Sequence, residues 1–115
     1  MHLFDDVPNV LCQARDAGLR IAVCSNLAAE YGTAVRRLLP ELDAYILSYE
    51  VGVTKPDAAI YAATCSALSC APHEVLFVGD SRRCDYYGPQ TIGMPARWLN
   101  RKGGQTLSDA LDGVL

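Results

Sequence analysis

Short apolar runs alternate along the chain with longer stretches whose apolar positions recur at helical spacing. Val10, Leu11, Ala14 and Ala17 follow Pro8 and precede Gly18, so a helix is expected between those two punctuating residues. Leu19–Cys24 then reads as a buried strand, Leu27–Leu39 as a helix stopped by Pro40, and Ala44–Ser48 as a second strand. The alanine-rich run from Asp57 to Leu68 reads as a helix, with Asp57 at its N-cap after Pro56. Glu74–Val78 is the clearest strand and ends at Gly79-Asp80-Ser81. A short helix within Asp85–Ile92, a strand at Ala96–Leu99, a polar turn at Arg101–Gln105 and a last helix at Leu107–Leu111 complete the pattern. Strand–helix alternation of this kind predicts an α/β fold with a parallel sheet and helices on both faces.

Composition narrows the class. The chain has 115 residues, half of them hydrophobic and a fifth charged, which predicts one globular domain spanning 1–115. Its net charge is −3, and no basic cluster is longer than Arg36-Arg37 or Arg82-Arg83. Neither a nucleic acid nor a membrane surface is therefore an expected partner. No apolar run approaches bilayer-spanning length, and Met1 to Asp6 lacks the regions of a signal peptide, so a cytoplasmic location is expected. The five cysteines are odd in number and form no C-x-x-C pair, which fits a reducing compartment. With only His2 and His73 to supplement them, no zinc site is expected.

In open α/β sheets, ligands bind beyond the carboxyl ends of the strands. Three groups of polar residues fall there. Ser25-Asn26 follows the first strand, where a hydroxyl and adjacent amides can hold a phosphate oxygen, although a simple helix cap uses the same residues. Lys55-Pro56-Asp57 lies in the loop after the second strand. Pro56 keeps Lys55 out of the helical region, so its ammonium can be aimed at developing negative charge or can simply be solvated. Gly79-Asp80-Ser81 ends the third strand, with Asp85 five residues after Asp80. Two such carboxylates suffice for Mg²⁺, which completes its shell with water and phosphate oxygens, while a turn acid and a first-turn acid are the plainer roles.

The three groups taken together are more specific than any one. "GLRIAVCSN", "GVTKPDAAIY" and "VLFVGDSRRCDYYG" resemble the second, third and fourth motifs of the haloacid dehalogenase (HAD) superfamily, most of whose members are phosphatases. "IGMPARWLNR" is similar to the segment that follows them, and the resemblance runs from about Val7 to about Asn100. It implies a three-layer, Rossmann-like HAD core and a Mg²⁺-dependent hydrolase of small phosphorylated metabolites. It also implies roles: Ser25, Asn26 and Lys55 toward phosphate, with Asn26 shaping the turn, Lys55 and Asp80 in catalysis, Asp80 on the metal, and Asp85 supporting the metal or orienting Lys55. Cys84 and Pro89 depart from the usual Asn and Ala without removing a ligand.

The family's first motif, Asp-x-Asp on an N-terminal strand, does not occur in these residues, and Asp5-Asp6 reads as a pair of helix N-terminal acids. The resemblance therefore implies a partial core lacking the nucleophile, the central strand and the cap, and inactive on its own. The loss would leave a gap between the strands ending at Cys24 and Val78, so that either they pair directly, or another chain supplies a strand, or the fragment is only marginally stable, and their exposed edges offer a route to self-association. A non-catalytic remnant that binds Mg²⁺ and phosphate or contacts proteins is the alternative. A receiver-like signalling domain is a further one, which the KPD-x-x-IY run opposes.

Overall fold

The computed structural model describes residues 3–115; Met1 and His2, and any reading of them, lie outside the described residues. Helix α1 spans Val7–Asp16 and stops before Gly18, whose φ of 80° is the left-handed conformation that glycine adopts without strain. Strand β1 (Ala22–Ser25) pairs in parallel with β2 (Ala44–Leu47), and β3 (Phe77–Gly79) pairs in parallel with β4 (Ala96–Trp98). Between them come α2 (Gly32–Leu38), α3 (Ser48–Val51), α4 (Ala58–Leu68), a π-helical turn at Arg82–Tyr87 running into α5 (Gly88–Gln90), and finally α6 (Leu107–Ala110). The parallel α/β architecture expected from the alternation is the one observed.

Several boundaries differ from the sequence reading. The first strand starts three residues later than Leu19, which is exposed, because the chain turns at Gly18 and Ile21 is anchored by its amide to the Asp43 carboxylate at 2.6 Å. The helix expected from Leu27 is a 3₁₀ turn at Ala29–Tyr31 followed by α2. Gly32 joins them, and a Cβ there would strike the Tyr49 hydroxyl. Helix α3 begins at Ser48, which the sequence reading had placed in the strand. Glu74 belongs to a 3₁₀ turn, Pro72–Glu74, so β3 starts at Phe77. The Asp57 cap is as expected: its Oδ1 accepts the Ala59 amide at 2.9 Å.

Helix α4 is the central packing element. It is apolar on most sides and packs against both β1 and β2, burying Ile60, Tyr61, Cys65 and Leu68. The same cluster takes in Ile46 of β2, Phe77 of β3 and Met94 before β4, so one core spans both strand pairs. Tyr61 meets the Phe77 ring edge-on, with centroids 5.5 Å apart and planes at 82°, the favoured aromatic geometry.

The two strand pairs form separate two-stranded sheets, and β1 does not pair with β3. The edges of both line a slot of about 910 Å³. Val10 and Ala14 of α1, Thr64 and Leu68 of α4, and Leu107 of α6 also line it. Among the described residues, no helix is long and apolar enough to cross a membrane.

Candidate active site

Parallel strands deliver their carboxyl ends to one rim, and the side chains placed there bind one another. Asn26, just beyond β1, grips the backbone of Lys55 twice: its Oδ1 accepts the Lys55 amide at 2.7 Å and its Nδ2 donates to the Lys55 carbonyl at 3.0 Å. A backbone held by two bonds at once fixes where the lysine side chain starts. The Lys55–Pro56 bond is cis. From that anchor the Lys55 ammonium reaches the Asp85 carboxylate, Nζ to Oδ1 2.6 Å, with side-chain exposures of only 11% and 7%.

Asp85 is held from a second direction. Its Oδ2 accepts the Ser81 amide at 3.0 Å, and its own amide donates to the Ser81 carbonyl at 2.7 Å. Ser81 caps the π-helical turn by accepting the Cys84 amide on Oγ. The carboxylate lies so close to Gly79 that a Cβ at that position would overlap it, which is why the strand must end in glycine. Every buried oxygen of the acid thereby has a donor, as a charge removed from water requires.

Asp80 stands apart from this knot. It is exposed at the tip of β3, and its carbonyl accepts Nε1 of Trp98 at 2.9 Å, while the Arg82 guanidinium lies 3.9 Å from the Trp98 ring centroid. Its carboxylate enters no ion pair among the described residues. Ser25 is half-buried at the end of β1, opposite Leu47 of β2.

Ser25, Asn26, Lys55, Asp80 and Asp85 thus lie on one rim, linked through Asn26 to Lys55, Lys55 to Asp85, and Asp85 to the Gly79–Ser81 turn. Two residues that support the rim were not singled out in the sequence. Ser48 is buried, and its Oγ accepts the Leu27 amide at 2.7 Å and donates to the Leu27 carbonyl at 3.1 Å, which fixes the loop leaving Ser25-Asn26. A lone serine after an apolar strand was the available signal. Tyr61 donates its hydroxyl to the Cys84 carbonyl and so ties α4 to the π-helical turn; burial raises its phenol well above the ordinary range. Its signal in the sequence was its place at the end of the KPD-x-x-IY run, which named no role for it.

A hard divalent cation would find only oxygen donors at this rim. Among the described residues no cluster of three or more His, Cys, Asp or Glu could hold a metal. Mg²⁺ asks for one or two protein carboxylates, so Asp80 fits as a ligand. Asp85, with both oxygens engaged, fits as the group that holds Lys55 in place.

The parallel α/β scaffold thus brings a buried lysine–carboxylate pair and an exposed acid to its strand ends. A family model for haloacid dehalogenase-like hydrolases matches residues 1–93. The chain belongs to that family. It is 28% identical to a phosphoserine phosphatase of Thermus thermophilus over 86% of its own length and 41% of that protein's. It is 33% identical to an (S)-2-haloacid dehalogenase of a Pseudomonas species, over 87% of this chain and 44% of the other. A HAD phosphatase from Thermococcus onnurineus superposes with a TM-score of 0.80 at 30% identity, covering 91% of this chain and 50% of that one. The chain therefore spans less than half the length of these curated relatives.

Proposed function

We propose that these residues are part of the core of a Mg²⁺-dependent, phosphatase-type HAD hydrolase acting on a small phosphorylated metabolite. In this reading residues 1–115 make a single partial core domain that works in the cytoplasm. Ser25 and the Lys55 ammonium take the phosphoryl oxygens, Asn26 holds the Lys55 loop, and Asp80 ligates the metal. Asp85 keeps Lys55 extended toward the anion. Bound Mg²⁺ would offset phosphate charge at the Asp80 end of the rim.

The observation that carries this reading is the Asn26–Lys55–Asp85 relay, because it aims a cation held by fixed bonds at the rim where Ser25 and Asp80 stand. Phosphatase names among the relatives support the phosphoryl side of the reading, and the dehalogenase among them belongs to the same family.

No Asp-x-Asp occurs in these 115 residues. Carboxylate nucleophiles form the covalent intermediate in chemistry of this kind, and loss of a covalent nucleophile can cost about 10⁶-fold in rate. We expect the polypeptide alone to bind phosphate with Mg²⁺ and to turn over negligibly. Hydrolysis of an aryl phosphate with and without Mg²⁺ tests this. Background rates are expected, and Mg²⁺-dependent turnover abolished by Asp80→Ala contradicts the inactivity. The absent motif equally supports the second reading, a binding module without catalysis. Inactivity together with retained Mg²⁺-dependent phosphate binding is what that reading shares with the first.

A further inference from the structure

Helix α4 ends in a pair of nested hydrogen bonds that bring two cysteines together. The Cys70 amide donates to the Cys65 carbonyl at 3.0 Å, and inside it the Ser69 amide donates to the Ser66 carbonyl at 3.0 Å. Ser69 makes the turn with φ 55° and ψ 40°, in the left-handed region. This is a Schellman motif, whose outer bond joins the residue in the last turn to the residue just past the cap. The side chains of those two residues commonly meet in an apolar contact. Here both are cysteines.

The outer bond bounds their separation. With Cys70 N only 3.0 Å from Cys65 O, standard backbone dimensions keep the two Cα atoms within about 7 Å. Disulfides span Cα separations of about 4.4–6.8 Å. Cys65 is buried in the core, and Cys70, half-buried, packs against the same cluster. Burial pushes the Cys65 thiol above its ordinary value of 9.0, and the nearness of Cys70 adds to the rise.

The surroundings of the two sulfurs differ. Arg20 Nη1 lies 3.7 Å from the Cys70 sulfur while donating to the Leu68 carbonyl at 2.7 Å. The Cys70 thiol donates to that same carbonyl at 3.3 Å. A guanidinium held in this way sets positive charge beside a sulfur, and a thiol attacks as its thiolate. Cys65 instead shares its cluster with Leu68 and Val75.

We propose that Cys65 and Cys70 are a redox-reversible dithiol that closes to a disulfide across the end of α4, with Cys70 as the attacking thiol and a low-molecular-weight disulfide as the oxidant. The Cys70 thiolate attacks one sulfur of the oxidant, forms a mixed disulfide and expels the other half, which takes up a proton. Cys65 then loses its proton and attacks the Cys70 sulfur, and the second half leaves as a thiol. Two electrons and two protons thus pass to the oxidant, which ends as two thiols. In a reducing compartment the pair stays open, and cytosolic disulfides are characteristically of this transient kind. Closure ties α4 to the segment that leads into β3. The inference uses no residue of the phosphate site and stands apart from the phosphatase reading.

The test equilibrates the whole chain with glutathione at set ratios of disulfide to thiol, then quenches with acid and maps tryptic peptides by mass. Lys55 precedes proline and resists trypsin, so Cys65 and Cys70 fall in one peptide, 38–82, with no other cysteine. That peptide is expected to lose two hydrogens, reversibly with dithiothreitol, at a ratio about tenfold lower in the folded chain than in urea, since folding favours a bridge that fits the native cap. Cys65→Ala should trap glutathione on Cys70, and adding Arg20→Ala should slow the trapping about threefold. Cys70→Ala should leave Cys65 unmodified. A bridge that forms no more readily in the folded chain than in urea overturns the proposal, as does either cysteine joining another peptide first. Glutathione appearing on Cys65 in Cys70→Ala as fast as on Cys70 in Cys65→Ala, or trapping indifferent to Arg20, overturns Cys70 as the attacking thiol. The comparison with urea uses the parent chain alone and decides the matter even where a variant fails to fold.

Discussion

Lys55 and Asp85 form the one ion pair in the described structure in which both side chains are almost wholly withdrawn from water, Nζ to Oδ1 2.6 Å. Such a pair is held less by net attraction than by the cost of breaking it, since either partner alone would be an uncompensated buried charge. Lys55→Met and Asp85→Leu should therefore each destabilise the chain by about 3–5 kcal/mol, and the two together by clearly less than the sum of the single changes. Urea unfolding of the three variants checks this. Additive losses would mean that the two groups do not act as a pair.

Gly79 illustrates how the strand end depends on that acid. A methyl group there would overlap the Asp85 carboxylate, and the acid cannot retreat while Lys55 and Ser81 hold it. Gly79→Ala should cost about 1–3 kcal/mol, as overpacking commonly does, and should weaken phosphate binding in the same variant. In an Asp85→Gly background, itself destabilised, Gly79→Ala should cost clearly less than it does in the parent chain. If Gly79→Ala melts with the parent chain, the close approach is wrong.

Acid stability should depend on Asp6. Its carboxylate accepts from Arg101 at 2.9 Å and from the Leu107 amide at 2.6 Å, so the N-terminus of α1 is tied to α6. The hydrogen bond from Arg101 is the main reason its carboxyl titrates below the usual value of 3.8. A depressed folded value means that the stabilisation is complete above the unfolded value and is lost as pH falls through the folded one. The stability gap between the parent chain and Asp6→Asn should thus be widest near about pH 6 and close steadily below about pH 4. A gap that grows on acidification would contradict the assignment.

Thiol reactivity should separate the cysteines by environment. Burial pushes the Cys24 thiol above its ordinary value of 9.0, whereas Cys12 is exposed on α1. Only the thiolate alkylates, so iodoacetamide should modify Cys12 well before Cys24 at mildly alkaline pH. Peptide mass mapping over time reads the order. Early labelling of Cys24 would mean that the slot it lines is wider and wetter than described.

Much of this was legible in the sequence, and for identifiable reasons. Asp57 after Pro56 marked the start of α4 because capping chemistry is local. The rim residues were legible because strand ends can be found from apolar runs, and Ser25, Lys55 and Asp80 each follow one. The helix at Leu27–Leu39 was misread because Gly32 sits where the Tyr49 hydroxyl approaches, a contact 17 residues away along the chain that no local pattern encodes. Ser48 was missed for the same reason, since its importance lies in two bonds to Leu27 on a neighbouring loop. The gap beside β1 follows from the resemblance, but its shape and its apolar walls come only from packing.

Calorimetric titration with Mg²⁺ and inorganic phosphate together, on the parent chain and on Asp80→Ala, tests the proposed rim most directly. Phosphate should bind the parent chain only when Mg²⁺ is present, and Asp80→Ala should abolish that Mg²⁺-dependent binding without unfolding the protein. Phosphate binding that ignores Mg²⁺, or that survives unchanged in Asp80→Ala, would contradict the account.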